Sequence, residues 1–263
     1  MKTKLLNIIM IVAVCVFCFS GYQLFEQTKD YRSGGKEYDK VEQEAVEIVS
    51  EETQESGTKE QKKEKKKIDK TLYRVDFEKL RQVNDEVVGW IRFDEPEVIS
   101  YPLVQADDND KYLTRTFEGN GNKVGALFLD RINEAKFEDE NTFIYGHNMK
   151  DGSMFGRLRN YKKESFYKEY PYFYIYTPKG QVYTYQIFSV EITNDTSESF
   201  QKQFADDQEY LTYLKRIQNK ALYDTGVQAD ASSKMVSLST CTNVSEEERL
   251  VVHGIRVDID KVK

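Results

Sequence analysis

Three short segments bring together residue types able to do covalent chemistry. Phe143-Ile144-Tyr145-Gly146-His147-Asn148 is an apolar run that meets a glycine and then a histidine. Ser237-Leu238-Ser239-Thr240-Cys241-Thr242 ends a strand-like run at a cysteine among small hydroxyl residues, which leave space for a substrate. Arg249-Leu250-Val251-Val252-His253-Gly254 opens another strand-like run with an arginine, eight residues after the cysteine. A thiolate can attack an acyl carbon while an imidazole protonates the departing amine. A guanidinium can hold the substrate or stabilise the developing oxyanion. No aspartate directly follows His147 or Cys241, so no conventional triad is visible. Each residue has an ordinary explanation when taken singly, as a core or surface histidine, a solvated arginine or a small buried thiol. Their co-occurrence is harder to dismiss. Of the two histidines, His147 stands at a strand end, and strand alternation could also bring His253 near the cysteine.

The elements that must position these residues are mostly strands. Val87–Phe93, Tyr101–Gln105, Ala126–Leu129, Thr142–Tyr145, Tyr172–Thr177, Gln181–Thr193, Met235–Ser239 and Leu250–Ile259 are rich in Val, Ile, Tyr and Phe. Turn signals separate them at Asp94-Glu95-Pro96, Gly119-Asn120-Gly121 and Pro178-Lys179-Gly180. Apolar spacing predicts a short helix over Asp76–Val83 and a longer one over Asp206–Asn219. The fold expected is mainly β with inserted helices, a closed or nearly closed barrel of about eight strands. Gly146 is expected to permit a sharp turn that sets His147 at a strand end.

The rest of the chain says where this unit works. Leu5–Tyr22 is uncharged and, at about 1.5 Å per residue, just long enough for a hydrocarbon core. Lys2 and Lys4 precede it, which predicts a cytoplasmic N-terminus and an exported remainder. No small-x-small cleavage site follows, so an uncleaved signal anchor over residues 1–22 is expected rather than a signal peptide. Cys15 and Cys18 fall inside it, leaving Cys241 as the only exported thiol. Residues 23–70 carry few large apolar side chains, an acidic stretch and the basic run Lys62–Lys67, and read as a charged flexible stalk. Residues 71–263 are then the globular domain. With 45 acidic against 38 basic residues the chain lacks the excess of Lys and Arg that nucleic-acid binding needs. Two histidines and three cysteines cannot build a zinc framework, so no metal and no cofactor is expected.

Residues 71–263 resemble the sortases, and class B in particular. The resemblance rests on Ser237-Leu238-Ser239-Thr240-Cys241 followed by Arg249, on Tyr145-Gly146-His147-Asn148-Met149 within the segment running to Phe155, and on Gly125-Ala126-Leu127-Phe128-Leu129-Asp130. The helix inserted before the cysteine strand fits the same pattern. Ser237 stands where the family usually has threonine, a change that keeps the hydroxyl. The resemblance implies a sortase-type eight-stranded barrel and a transpeptidase on the outer face of a Gram-positive cell. Such an enzyme cleaves the C-terminal sorting motif of a surface protein after threonine and holds the acyl part as a thioester. It then transfers that part to an amine of a cell-wall precursor or a pilin. The resemblance assigns Cys241 as nucleophile, His147 as general acid/base, and Arg249 to the sorting motif and oxyanion. It places Asn109, Leu113 and Ser239 along the substrate groove. Two rival readings are a papain-like cell-wall peptidase, in which the cysteine precedes its histidine and opens a helix, and a non-catalytic surface-binding module with an incidental cysteine.

Overall fold

The computed structural model describes residues 2–49, 72–94, 99–242 and 247–262. The basic run Lys62–Lys67 and the turn at Glu95-Pro96 lie outside the described residues, as do the side chains of Lys2 and Lys4.

A single helix α1 (Lys2–Ala45) leads into β1 (Val46–Ile48), followed by β2 (Tyr73–Val75) and α2 (Phe77–Val83). The barrel strands come next: β3 (Val87–Phe93), β4 (Ile99–Val104), β5 (Leu127–Leu129) and β6 (Asn141–Tyr145). A 3-10 turn (Gly156–Lys162) and α3 (Glu164–Glu169) precede β7 (Tyr172–Tyr176) and β8 (Gln181–Asn194). The chain ends with α4 (Asp207–Lys220), β9 (Met235–Cys241) and β10 (Glu248–Lys261). The eight strands from β3 onward close in the order β10-β8-β7-β3-β4-β5-β6-β9.

Most neighbouring strands are antiparallel, but β4 runs parallel to β5, and β6 parallel to β9. Parallel neighbours need long crossovers. The one between β6 and β9 contains β7, β8 and α4. The two helices expected from spacing are present, and Asp76 and Asp206 each cap one by accepting backbone N–H bonds through the side chain.

Alternation divides β9 between two cores. Val236 and Leu238 point into the barrel with Leu250, Val252 and Ile144. Met235 faces the other way, into a cluster with Tyr210, Tyr213, Leu214, Ile217 and Ile255 under α4. Ser237, Ser239 and Cys241 share Met235's parity, so they line the outer wall of the barrel.

The N-terminal region departs from the expected stalk. Among the described residues nothing covers the apolar first half of α1, where Ile11, Val12, Val14, Val16, Phe17 and Phe19 are exposed. It is long and apolar enough to cross a membrane, as an anchor or a signal sequence would be. The second half does not stand off as a flexible linker. Tyr38, Val41 and Ala45 are buried in the barrel's core cluster, with Tyr31 packed against it. Tyr31, Tyr38 and Ala45 recur every seven residues, with Gly34 and Val41 between them, which forms one stripe on a helix. Beyond α1, β1 pairs antiparallel with β2, Val46 against Val75 and Ile48 against Tyr73. Residues 23–48, within the expected stalk, are therefore helix and paired strand.

The packed unit thus begins well before residue 71. A fragment starting at residue 71 uncovers the surface that Tyr38, Val41 and Ala45 bury, a loss of several kcal/mol at about 25 cal/mol per Å². It should melt measurably lower in a thermal scan than a fragment starting at residue 29. Equal melting temperatures would show that the docked helix adds nothing to the fold.

Candidate active site

The topology gathers four strand ends at one rim. Because β6 and β9 are parallel, with Tyr145 opposite Ser239, the residues after them emerge side by side. In register, His147 follows toward the position of Cys241. Gly146 N–H continues the ladder to the Ser239 carbonyl at 3.2 Å. β10 begins where β9 ends, and Arg249 lies directly opposite Cys241, about 4.5–5.5 Å away between Cα atoms. The residues 243–246 between them lie outside the described residues. β8 ends at the same rim, with Asn194 opposite Glu248.

The histidine is held through its backbone and its ring. Gly146 is not in the left-handed region, so the expected reason for this glycine gives way to another. A Cβ there would meet Leu127 Cδ2 at 2.3 Å and Phe155 Cδ2 at 2.7 Å, so only glycine lets the strand end pack this closely. The ring Nε2 of His147 lies 2.7 Å from the carbonyl oxygen of Leu113. A carbonyl only accepts, so Nε2 carries the hydrogen and the neutral ring keeps its lone pair on Nδ1.

Cys241 is partly exposed and a free thiol. Its carbonyl accepts a 2.7 Å hydrogen bond from the side chain of Asn148, which ties the residue after His147 to the end of β9. The Thr242 N–H is engaged by the Glu248 carbonyl at 3.3 Å. The Arg249 guanidinium is fixed too, its Nη2 donating to Asp195 Oδ2 at 2.8 Å and its Nη1 to the Glu248 carbonyl at 3.2 Å.

The three expected groove residues occupy different settings. Leu113 is 38 % exposed, and its carbonyl, rather than its side chain, is what touches His147. Asn109 is committed on both sides, donating to Asp130 Oδ2 at 3.2 Å and accepting from Arg131 N–H at 2.8 Å. Ser239 is only 2 % exposed. Asp130 ties this flank together, accepting from the Tyr145 hydroxyl at 2.8 Å and pairing with Lys202 at 3.0 Å. Asn148, Asp195 and Asp130 were not singled out from sequence. Asn148 was readable only as a neighbour of His147, and Asp195 lies 54 residues from the arginine it holds.

His253 belongs to a separate buried network. Asn141 donates to Gln201 O and Tyr213 Oη, so its Oδ1 faces Ser237, whose hydroxyl donates to it at 2.6 Å. That spends the only hydrogen of Ser237, and the 2.7 Å contact to His253 Nδ1 must be donated by the ring. The other nitrogen, Nε2, lies 3.2 Å from Glu191 Oε1. Burial pushes the Glu191 carboxyl up, but the His253 hydrogen bond and charge outweigh it and hold it below the usual carboxylate range. His253 thus faces the Glu191 carboxylate, both side chains fully buried, and both of its ring nitrogens are engaged within this network, away from the thiol.

Comparison with known proteins agrees with this architecture. The family model described as Sortase domain matches residues 97–257. The chain is 34 % identical to a sortase B of Listeria monocytogenes over 66 % of this chain and 71 % of that one. It is 28 % identical to a sortase B of Staphylococcus aureus over 95 % of both. A Bacillus anthracis sortase B crystal structure in complex with AAEK1 superposes with a TM-score of 0.71 at 33 % identity, covering 88 % of this chain and 99 % of that one. The chain belongs to the sortase family of cysteine transpeptidases, and within it to class B. Sortases are cell-surface enzymes that act on surface proteins bearing a sorting motif and on cell-wall amine acceptors. The readings as a papain-like peptidase or a non-catalytic module are set aside.

Two outcomes follow for stability. Replacing His253 by leucine leaves Glu191 buried without its partner and should cost about 3–5 kcal/mol in urea unfolding; a loss below 1 kcal/mol would contradict the ion pair. For Asp130, burial raises the pKa, but the Ile132 N–H, Lys202 and Tyr145 lower it more, leaving it below the ordinary value. Its contribution is complete above the unfolded carboxylate pKa of about 3.9 and is lost as pH falls through the folded value. Asp130→Asn should therefore flatten the fall of stability with acid below about pH 4, read from urea midpoints against pH.

Proposed function

We propose that the chain is a membrane-anchored transpeptidase in which Cys241, His147 and Arg249 carry the reaction. The observation that supports this most is the convergence of all three at one rim, with Arg249 opposite Cys241 and His147 emerging beside it. The Cys241 thiol gives its proton to Nδ1 of His147, and the thiolate so formed attacks the carbonyl carbon of the threonine in a sorting motif. The resulting oxyanion is met by the Arg249 guanidinium, whose planar fork is already oriented by Asp195. The C–N bond then breaks, and the departing amine takes a proton from His147, leaving a thioester on Cys241. An amine of a cell-wall precursor or a pilin attacks the thioester, gives a proton back to His147 and expels the thiolate. With Nε2 engaged by Leu113, Nδ1 is the nitrogen that exchanges this proton. Asn109, Leu113 and Ser239 line the groove, Asn109 and Ser239 chiefly by shaping it. Residues 5–22 cross the membrane once, with the N-terminus cytoplasmic and the barrel outside.

Incubating the full chain in detergent with a library of threonine-containing pentapeptides should give an acyl adduct on Cys241 by mass spectrometry. Cys15 and Cys18, in the apolar part of α1, serve as internal controls. An absent adduct, or one spread over all three cysteines, would sink the assignment. Cys241→Ala should lose all turnover. His147→Ala should lose about 10²–10⁴-fold, mainly in kcat, because proton transfer belongs to the transition state. Arg249→Lys should also be severely impaired, since lysine keeps the charge but not the fork. A folded His147→Ala enzyme with full activity would remove the histidine from the mechanism.

A further inference from the structure

The loop between β4 and β5 supplies the Leu113 carbonyl that fixes the His147 ring, and α1 grips this same loop. The hydroxyl of Tyr38 donates to the Gly125 carbonyl at 2.6 Å and accepts from the Phe117 N–H at 3.1 Å. Tyr38 is buried, and its ring packs edge-on against Tyr101 with centroids 5.2 Å apart. From the preceding residue, the Glu37 carboxylate accepts from Thr116 Oγ1 at 2.9 Å, Glu118 N–H at 2.9 Å and Asn120 Nδ2 at 3.1 Å. Asn122 donates back to the Asp30 carbonyl at 3.1 Å and to Ser33 Oγ at 3.0 Å.

Gly125 is the link between this grip and the histidine. It has φ +64°, the left-handed region that favours glycine. A Cβ at Gly125 would lie 3.0 Å from His147 Cδ2, 3.1 Å from the Leu113 carbonyl oxygen and 2.6 Å from that of Tyr112. The peptide held by Tyr38 thus borders both the imidazole and the oxygen that fixes its tautomer. We infer that Tyr38 is a positioning residue: through Gly125 and Leu113, the helix that carries the N-terminal apolar segment sets the His147 ring with its hydrogen on Nε2. The inference rests on His147 being the acid/base, but the clamp itself can be tested separately.

The test uses the full chain in detergent, labelled with 15N-histidine. With only two histidines in the chain, and both ring nitrogens of His253 engaged in its buried network, the His147 ring signals are separable. In the parent protein Nε2 should appear as the protonated nitrogen, with slow exchange of its hydrogen. Tyr38→Phe keeps the ring packing and removes only the hydroxyl. It should mix the His147 tautomers or speed that exchange, and lower kcat by about fivefold, of the order of one neutral hydrogen bond. The KM for the best pentapeptide from the screen should stay within about twofold, since no group that touches substrate has changed. Glu37→Leu, which loosens the far part of the loop but not Gly125, should act in the same direction and more weakly. Gly125→Ala should exceed both in its effect on the ring signals. Parent-like ring signals and kcat in a folded Tyr38→Phe protein would overturn the clamp. If His147→Ala proves fully active, the catalytic reading fails instead, while the ring signals of Tyr38→Phe still decide whether the clamp exists.

Discussion

The arrangement depends first on the parallel pairing of β6 with β9. An antiparallel pair would put the end of β6 beside the start of β9, with His147 and Cys241 at opposite edges of the barrel. Parallel pairing puts both ends at one rim, and the antiparallel partner β10 then has to start there, with Arg249 across from Cys241. The cost is the long crossover that parallel strands require. Here that crossover contains β7, β8 and α4. It closes the barrel and lays an apolar cover over the outer face of β9.

Around this frame, the side chains proposed to react are restrained by neighbouring groups. His147 is held at one nitrogen by a carbonyl, Arg249 by a carboxylate, and the backbone of Cys241 by an amide. Each restraint comes from a different loop. Preorganisation of this kind places donors and acceptors before charge develops, so less reorganisation is needed during the reaction. The second histidine, four residues further along β10 from Arg249, serves the wall instead, locking β8, β9 and β10 through Glu191 and Ser237.

Much of this was legible in the sequence because the signals are local. β3 and the helices over Asp76–Val83 and Asp206–Asn219 follow from residue type and apolar spacing, and the candidate trio stands out as rare residue types at strand ends. The restraints were not legible because they join residues distant in the chain. Asp195 lies beyond β8, and the Leu113 contact is made by a backbone atom, which side-chain identity cannot reveal. The docked half of α1 was hidden for another reason. Its buried stripe uses Gly34 and Ala45 alongside tyrosines, so it carries little hydrophobicity, and Gly34-Gly35 resembles a linker. The packing works because small residues let the helix approach the barrel closely.

The unbroken course of α1 also changes how the enzyme relates to the bilayer. A disordered stretch over residues 23–70 would let the barrel wander over an r.m.s. distance of roughly 35–40 Å. Instead, with residues 5–22 placed in the lipid as proposed, the first hydrogen bond from α1 to the barrel among the described residues forms at Asp30, about 12 Å along the helix axis from Tyr22. The groove is then carried at a short and nearly constant altitude. A substrate's scissile bond must be delivered into that thin layer, so the number of residues between its motif and its own point of attachment becomes a second code, read by a ruler rather than by a pocket.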